Sequence, residues 1–210
     1  MGSMKNKAME AEAQADYETR VSVKMMEVEK REDKPTRLVG YAAVFNQATE
    51  LYPGYFERIA NGAFTRTLKE GADVRALVDH DPSKIIGRST ADPATLDLEE
   101  NAKGLKVSIT PPDTQVGRDI VESVSRGDVD QMSFAFRTVA YEWEEKGDTA
   151  TRTLTDVDLF DVSIVTYPAY PQTSVAVRCL ERQRAGNPPK PTHDYSDVEA
   201  RIDALRKRAR

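Results

Sequence analysis

Short stretches in which apolar residues recur at every second position fill the chain between residues 20 and 166, and residues typical of turns separate them. A period of two is that of a β-strand with one buried face. Only two segments of this region show the 3.6-residue period of an amphipathic helix. About seven strands and two helices in mixed order predict an α+β, mostly β fold, with an antiparallel barrel-like sheet and a few helices packed around it.

The predicted strands follow one another closely along the chain. They span residues 20–25, 38–45, 74–78, 95–99, 104–110, 132–143, 151–154 and 159–166. The first two are expected to pair as antiparallel neighbours. Turn-like residues at 100–103 and at 146–148 predict two hairpins. Residues 159–166 are predicted to form a further, separate strand.

The two predicted helices have recognisable ends. Asn61 is expected to cap the first helix, and Gly71 to end it in a left-handed conformation. Asp113 or Thr114 caps the second helix, which stops at Gly127. The apolar positions of the second helix are Val116, Ile120, Val121 and Val124. Both helices therefore have one face that can pack on a sheet.

Composition excludes several classes of protein. The 210 residues include 39% hydrophobic residues, enough for one compact domain. Thirty Lys and Arg against 35 Asp and Glu give a net charge of -5, which argues against a nucleic-acid partner. No apolar run approaches the length of a membrane span, so we expect no membrane association and a soluble intracellular protein. One cysteine, Cys179, and two histidines exclude an internal disulfide and a zinc site.

Four segments are predicted along the chain. Residues 1–16 are expected to be a flexible arm that begins with an expression remnant, and residues 17–178 the folded domain. Residues 179–193 are a proline-rich linker, and residues 194–210 a terminal helix with a basic end. The apolar face of that helix carries Val198, Ile202 and Leu205. Docking of this helix on a partner and a disordered tail are both left open.

His80 is the only histidine of the folded part, because His193 lies in the proline-rich tail. Imidazole is the side chain that ordinarily exchanges a proton near neutral pH, so a general base is expected to be His80. A histidine flanked by two aspartates at a strand end is more often a surface residue than a catalyst. The assignment therefore needs partners.

Ser133 is the serine best placed for chemistry. Met132, Phe134 and Phe136 point to one face of its predicted strand, and Ser133 points to the other. A serine in this pattern commonly lies on the solvated face of the strand. A hydroxyl held rigidly on a strand is also a candidate nucleophile.

Asp161 interrupts an apolar strand, and a buried acid needs a cationic or hydrogen-bonding partner, which an imidazole could supply. By alternation, one face of this strand carries Leu159, Asp161, Ser163 and Val165. Asp158 lies on the opposite face with Phe160. Asp161 is thus the candidate to orient His80.

The order His80, Ser133, Asp161 is not that of chymotrypsin, subtilisin or the α/β-hydrolases, and no Gly-x-Ser-x-Gly motif is present. Across residues 17–178 the sequence resembles the prohead maturation proteases of tailed phages, serine peptidases similar to the herpesvirus assemblins. The blocks that carry the resemblance are 55–58 with 62–64, 77–82 with 86–88, 104–105, 126–129 with 132–136, and 161–163 with 168–171. Their joint occurrence in this order is specific. A herpesvirus-protease-like barrel is the fold that the resemblance implies.

The resemblance implies a role for each candidate. His80 is the general base, Ser133 the nucleophile, and Asp161 the acid that orients the imidazole. The family more often has Glu at the acid position and Gly where Ala135 stands. Asp158 is therefore kept as the alternative third member.

The resemblance also implies a function: a serine endopeptidase that cuts scaffold, or the scaffold-like segment of the major capsid protein, and itself. It would act in the host cytoplasm inside the assembling prohead, with no cofactor, no metal and no direct role for nucleic acid. A homodimer or a higher homo-oligomer is left open. The other functions left open are a non-enzymatic capsid scaffold or interaction module and, less favoured, an amidase or esterase with the same triad.

The negative oxygen formed during acyl transfer needs hydrogen-bond donors. Arg88 is one candidate. The other is the turn at residues 168–171, where only Ala169 and Tyr170 have backbone N–H groups to offer. Ordinary turn structure is the alternative explanation for both.

Overall fold

The computed structural model describes residues 18–22, 26–29 and 35–167. This part of the chain forms eleven strands and two helices in two sheets. In chain order they are β1 (Glu18–Ser22), β2 (Glu27–Glu29), β3 (Arg37–Val44), β4 (Thr49–Tyr52), β5 (Tyr55–Ile59), α1 (Thr65–Lys69), β6 (Arg75–Val78), β7 (Asp81–Arg88), β8 (Leu96–Glu100), β9 (Gly104–Ile109), α2 (Gln115–Arg126), β10 (Gln131–Lys146) and β11 (Thr149–Val165).

The larger sheet is built around β11. Its strand order is β1-β10-β11-β5-β4, with β6 pairing β11 and β7 pairing β6. Because β11 is 17 residues long, its first part pairs with β5 at Ala150–Leu154 and its last part pairs with β6 at Asp161–Ile164. Both of these pairings are parallel, whereas β10 pairs antiparallel along the other edge of β11. The smaller sheet, β2-β3-β9-β8, is antiparallel throughout.

The prediction of a mostly β fold is confirmed, but the prediction of one antiparallel barrel is wrong. The larger sheet is mixed, and β1, β4 and β7 are open edges of it among the described residues. One core joins the two sheets and the helices, with side chains from β3, β9, β10, β11 and both flanking helical segments. Its members include Leu38, Phe64, Val107, Ile120, Phe134 and Val162.

Several predicted pairings need correction. The first two predicted strands do not pair, because β1 lies beside β10 and β3 lies between β2 and β9 in the other sheet. Residues 159–166 do not form a separate strand, since β11 continues without a break to Val165. The two predicted hairpins, β8–β9 and β10–β11, are confirmed.

Four strands were not expected from the sequence: β2, β4, β5 and β7. The strand β7 begins Asp81-Pro82, and a proline argues against a strand in the middle of a sheet. Because β7 is an edge strand, it can contain Pro82 without interrupting the pairing of a central strand.

The helix ends were predicted in part. Thr114 caps α2 by accepting from the backbone N–H of Gly117, and Gly127 ends α2 with a φ of 76°, as expected. Gly71 likewise has a positive φ of 70°. Asn61 does not cap α1, whose N-cap is Phe64 with no side-chain hydrogen bond.

Glu100, on β8 of the smaller sheet, takes the place of the expected Asn61 cap of α1. An oxygen of Glu100 accepts from the backbone N–H of Phe64, and its second oxygen accepts from the Thr65 hydroxyl. A carboxylate at this end also offsets the partial positive charge of the exposed N–H groups.

No helix among the described residues is long and apolar enough to cross a membrane. The predictions for the N-terminal arm, for the proline-rich linker and for the terminal helix fall outside the described residues.

Candidate active site

The structure brings three sequence-predicted residues into direct contact. The Nε2 atom of His80 lies 2.7 Å from the Oγ atom of Ser133. The Nδ1 atom of His80 lies 2.6 Å from the Oδ1 atom of Asp161. The imidazole therefore bridges a hydroxyl and a carboxylate that come from two neighbouring strands.

Ser133 lies on β10, which has a neighbouring strand on each side. It pairs with Val21 of β1 on one side and with Ser163 of β11 on the other. Met132 and Phe134, its neighbours in sequence, pack into the core, so its own side chain points to the opposite face, as predicted. That face is not solvated at this position, because Ser133 is only 1% exposed.

His80 occupies a two-residue turn between β6 and β7. Val78 pairs with Asp81, and the two residues between them have positive φ values, 52° for Asp79 and 54° for His80. Positive φ at both positions is the requirement of a tight hairpin turn, and it costs about 1–3 kcal/mol at each residue other than glycine. Strain of this kind persists only where the surroundings hold it.

Hydrogen bonds to β11 and to the residue after it hold this turn. The backbone N–H of Asp79 donates to the carbonyl of Ile164 at 2.9 Å. The Asp79 carboxylate accepts from the backbone N–H of Thr166 at 2.7 Å and from its hydroxyl at 3.1 Å. The role of Asp79 was not predicted, although an Asp-His pair at the end of a strand is a recognisable signal for a positive-φ turn.

Asp161 lies on β11, between β10 and β6. It pairs with Ala135 of β10 and with Arg75 of β6. The expected face of β11 needs one correction, because Leu159 lies in the core with Val162 and does not share the face of Asp161. A bulge at Phe160 explains the change, since the register with β10 passes from Asp161 directly to Leu159.

Asp158, the alternative acid, is engaged elsewhere. It accepts from the guanidinium groups of Arg66 and Arg137, each at 2.5 Å. Burial alone would raise the pKa of Asp158, but the hydrogen bonds from Arg66 and Arg137 lower it below its ordinary value. The geometry therefore places Asp161, and not Asp158, at His80.

Ser163 is a fourth member of the cluster that sequence reasoning did not assign. Its Oγ atom lies 2.9 Å from Asp161 Oδ1 and 3.1 Å from His80 Nδ1. It also accepts from the backbone N–H of His80 at 3.3 Å. The expectation that Asp161 and Ser163 share a face was the available signal.

Of the three candidates for stabilising the oxyanion, only Arg88 lies among the described residues. Both oxygens of Asp73 accept from the Arg88 guanidinium at 2.7 Å, and the backbone N–H of Arg88 donates to Thr95. Arg88 is thus occupied by contacts away from the cluster. Ala169 and Tyr170 lie outside the described residues.

A buried charge network supports the strand beside Ser133. Glu18 of β1 accepts from Arg20 at 2.6 Å and from Arg152 at 2.9 Å, and Glu57 contacts both arginines. Burial would raise the pKa of Glu18, but the charges of Arg20 and Arg152, with hydrogen bonds from Arg152 and Thr138, lower it to about 2. The paired charges attach β1 to the sheet near Phe136, which lies three residues after Ser133 on β10.

This arrangement suits nucleophilic catalysis. A hydroxyl in contact with an imidazole, whose other nitrogen contacts a carboxylate, is the nucleophile–base–orienter combination of serine hydrolases. The described residues contain no group of three or more His, Cys, Asp or Glu side chains that could hold a metal ion.

Comparison with known proteins gives a family match and similarity to solved structures. A model of the caudovirus prohead serine protease family matches residues 22–187, a span that includes His80, Ser133 and Asp161. No curated protein sequence matches the chain significantly. Among solved structures, the chain is similar to the capsid assembly protease of bacteriophage T4, with 10% sequence identity and a TM-score of 0.49, over 74% of this chain and 99% of that chain.

Proposed function

Because this chain belongs to the caudovirus prohead serine protease family, we propose that it is a head-maturation endopeptidase with Ser133 as nucleophile, His80 as general base and Asp161 as orienting acid. The observation that carries the assignment is the pair of contacts made by one imidazole, 2.7 Å to Ser133 Oγ and 2.6 Å to Asp161 Oδ1. Both distances lie within hydrogen-bond reach, so Ser133 can pass its proton to His80 while Asp161 orients the ring.

The first half of the reaction forms an acyl-enzyme. Ser133 Oγ attacks the carbonyl carbon of the peptide bond while its proton passes to His80 Nε2. Asp161 stabilises the imidazolium that results. His80 then gives the proton to the leaving amine as the C–N bond breaks, and the acyl group stays on Ser133.

The second half releases the enzyme. Water attacks the acyl carbon, and His80 Nε2 takes one of its protons. The proton returns to Ser133 Oγ when the ester bond breaks, so the enzyme is unchanged. These steps need no cofactor or metal.

The family supports a proposal for the substrates. A prohead protease acts where capsid and scaffold proteins are packed together in the host cell, so we assign the scaffold, or the scaffold-like segment of the major capsid protein, as substrate. Self-cleavage belongs to the same proposal, because copies enclosed in a prohead meet one another at high local concentration. A homo-oligomer is compatible with this role but not required by the chemistry.

Incubation of the purified chain, alone and with the capsid and scaffold proteins of the same phage, tests the proposal. Fragments identified by mass spectrometry are expected with the wild type and not with a folded Ser133→Ala variant. Intact proteins in both samples would contradict the proposal and would favour the non-enzymatic scaffold or interaction module.

A further inference from the structure

The hydroxyl of Ser163 lies between the two groups that prepare Ser133 for attack. It is 2.9 Å from Asp161 Oδ1, 3.1 Å from His80 Nδ1 and 3.3 Å from the backbone nitrogen of His80. Ser163 is fully buried, with 0% exposure, so water does not compete for these contacts. One side chain thus contacts both the base and the acid of the site.

The direction of each hydrogen bond follows from which groups carry a proton to donate. An ionised Asp161 only accepts, and a serine hydroxyl has one proton to give. If Ser163 gave that proton to His80 Nδ1, the bare nitrogen would face the carboxylate at 2.6 Å with no proton between them. The Ser163 proton therefore goes to Asp161, and Nδ1 carries its own.

This arrangement selects one tautomer of His80. With the proton on Nδ1, the Nε2 atom has a free lone pair directed at Ser133 Oγ, 2.7 Å away. The oxygen of Ser163 accepts the backbone N–H of His80 at the same time, which ties the strained turn to β11. Both the ring and its backbone are held by one hydroxyl.

We propose that Ser163 is a positioning residue that fixes Asp161 and the Nδ1–H tautomer of His80, so that Nε2 is ready to take the Ser133 proton. The proposal rests on the proposed function, because it assigns Ser163 a role in that reaction. Ser163 does not reach Nε2 and so acts through His80 and Asp161. The competing explanation is that its hydroxyl serves stability alone.

The rate at which a fluorophosphonate probe modifies Ser133 separates these explanations. In that reaction the Ser133 oxygen bonds to phosphorus, fluoride leaves, and the serine proton passes to His80. Loss of alignment by Ser163→Ala is expected to slow the modification roughly 10- to 100-fold, the effect of a small displacement in a reacting group. Ser163→Cys, in which a slightly larger thiol fills the site but forms weaker hydrogen bonds, should be slowed as well.

Ser89→Ala is the matched control. The Ser89 hydroxyl donates to the carbonyl of Ala72 and accepts from the backbone N–H of Val74, so it is a structural hydroxyl away from the cluster. Its removal should lower the melting temperature and leave the labelling rate unchanged. A merely structural Ser163 would behave in the same way.

Proton NMR supplies a measurement that does not depend on the stability of the fold. The chain has two histidines, so a His193→Gln background leaves His80 as the only imidazole. A low-field Nδ1–H resonance is expected with Ser163 present, and it should broaden or shift in Ser163→Ala as the proton exchanges with water more easily.

Each outcome decides between the two proposals. A wild type that the probe does not label at Ser133 would overturn the proposed function. Labelling of the wild type, with equal rates and an unchanged Nδ1–H resonance in Ser163→Ala, would overturn only the role of Ser163. If Ser163→Ala does not fold, a wild-type rate in Ser163→Cys would overturn that role equally.

Discussion

Ser133 and Ser163 lie directly opposite each other on β10 and β11, and both hydroxyls contact the same imidazole from its two nitrogens. Ser163 pairs in turn with Leu77 on β6, the strand that leads into the turn of His80. The proposed nucleophile, orienting acid and base therefore come from adjacent strands, although 53 residues separate His80 from Ser133. The sheet order, more than any local motif, creates the site.

The two aspartates of β11 should behave differently. Asp161→Asn is expected to lower the rate of Ser133 labelling by about 10³- to 10⁴-fold, because an amide no longer fixes the imidazole tautomer. Asp158→Asn should keep the labelling rate and lose stability, since it weakens the contacts with Arg66 and Arg137. Labelling kinetics and thermal unfolding of the two variants distinguish them, and the reverse pattern would make Asp158 the third member.

His80 should be required for activity, because its Nε2 atom is the group placed to accept the Ser133 proton. His80→Gln should lose activity by several orders of magnitude at every pH. Cys179→Ser and a chelator should have no effect; inhibition by the chelator, or an active His80→Gln protein, would exclude this mechanism.

Asp79 should affect the rate of Ser133 labelling more than the folding of the chain. Asp79→Gly accepts the positive φ of 52° without strain but removes the bonds to Thr166. The variant is therefore expected to fold normally and to label Ser133 roughly 10-fold more slowly, because the turn of His80 is less firmly held. Thr166→Val, which removes only the hydroxyl contact, should have a smaller effect. Equal rates in the wild type and in Asp79→Gly would show that the turn needs no such support.

Much of the local structure was accessible from the sequence because its determinants are local. The caps of α2, the hairpin of β8 and β9, and the alternation that turns Ser133 away from the core all depend on residues close together in the chain. The resemblance supplied the pairing of Ser133 with His80. Periodicity alone favoured a solvated strand face for Ser133.

The remaining features depend on contacts between distant residues. A charge network attaches β1 to the larger sheet by joining Glu18 to Arg152, 134 residues away. The bulge at Phe160 shifts Leu159 to the core face, and strict alternation cannot anticipate an extra residue. Ser163 acquires its contacts with His80 only when the turn of His80 folds against β11.

The charge network predicts a loss of stability in acid. Because the pKa of Glu18 is about 2 in the folded chain and about 4.5 ordinarily, the folded state favours the ionised form. Its contribution, a few kcal/mol, is complete above about pH 5 and is lost as the pH falls toward 2. Glu18→Gln should lower the free energy of unfolding at pH 7 and make its decline between pH 5 and 2 shallower.

Urea unfolding at several pH values checks this expectation. Glu122→Gln, on the exposed side of α2, is the control and should follow the wild type at every pH. A Glu18→Gln protein as stable as the wild type at pH 7 would show that the buried charges do not stabilise the position of β1.

The most direct test of the site is peptide mapping of the chain after reaction with a fluorophosphonate. One adduct is expected, on Ser133, and it should be absent from His80→Gln and from Ser133→Ala, both checked for folding by circular dichroism. A wild type without an adduct, an adduct on another serine such as Ser163, or undiminished labelling of Ser133 in His80→Gln would contradict the assignment of Ser133 and His80 as nucleophile and base.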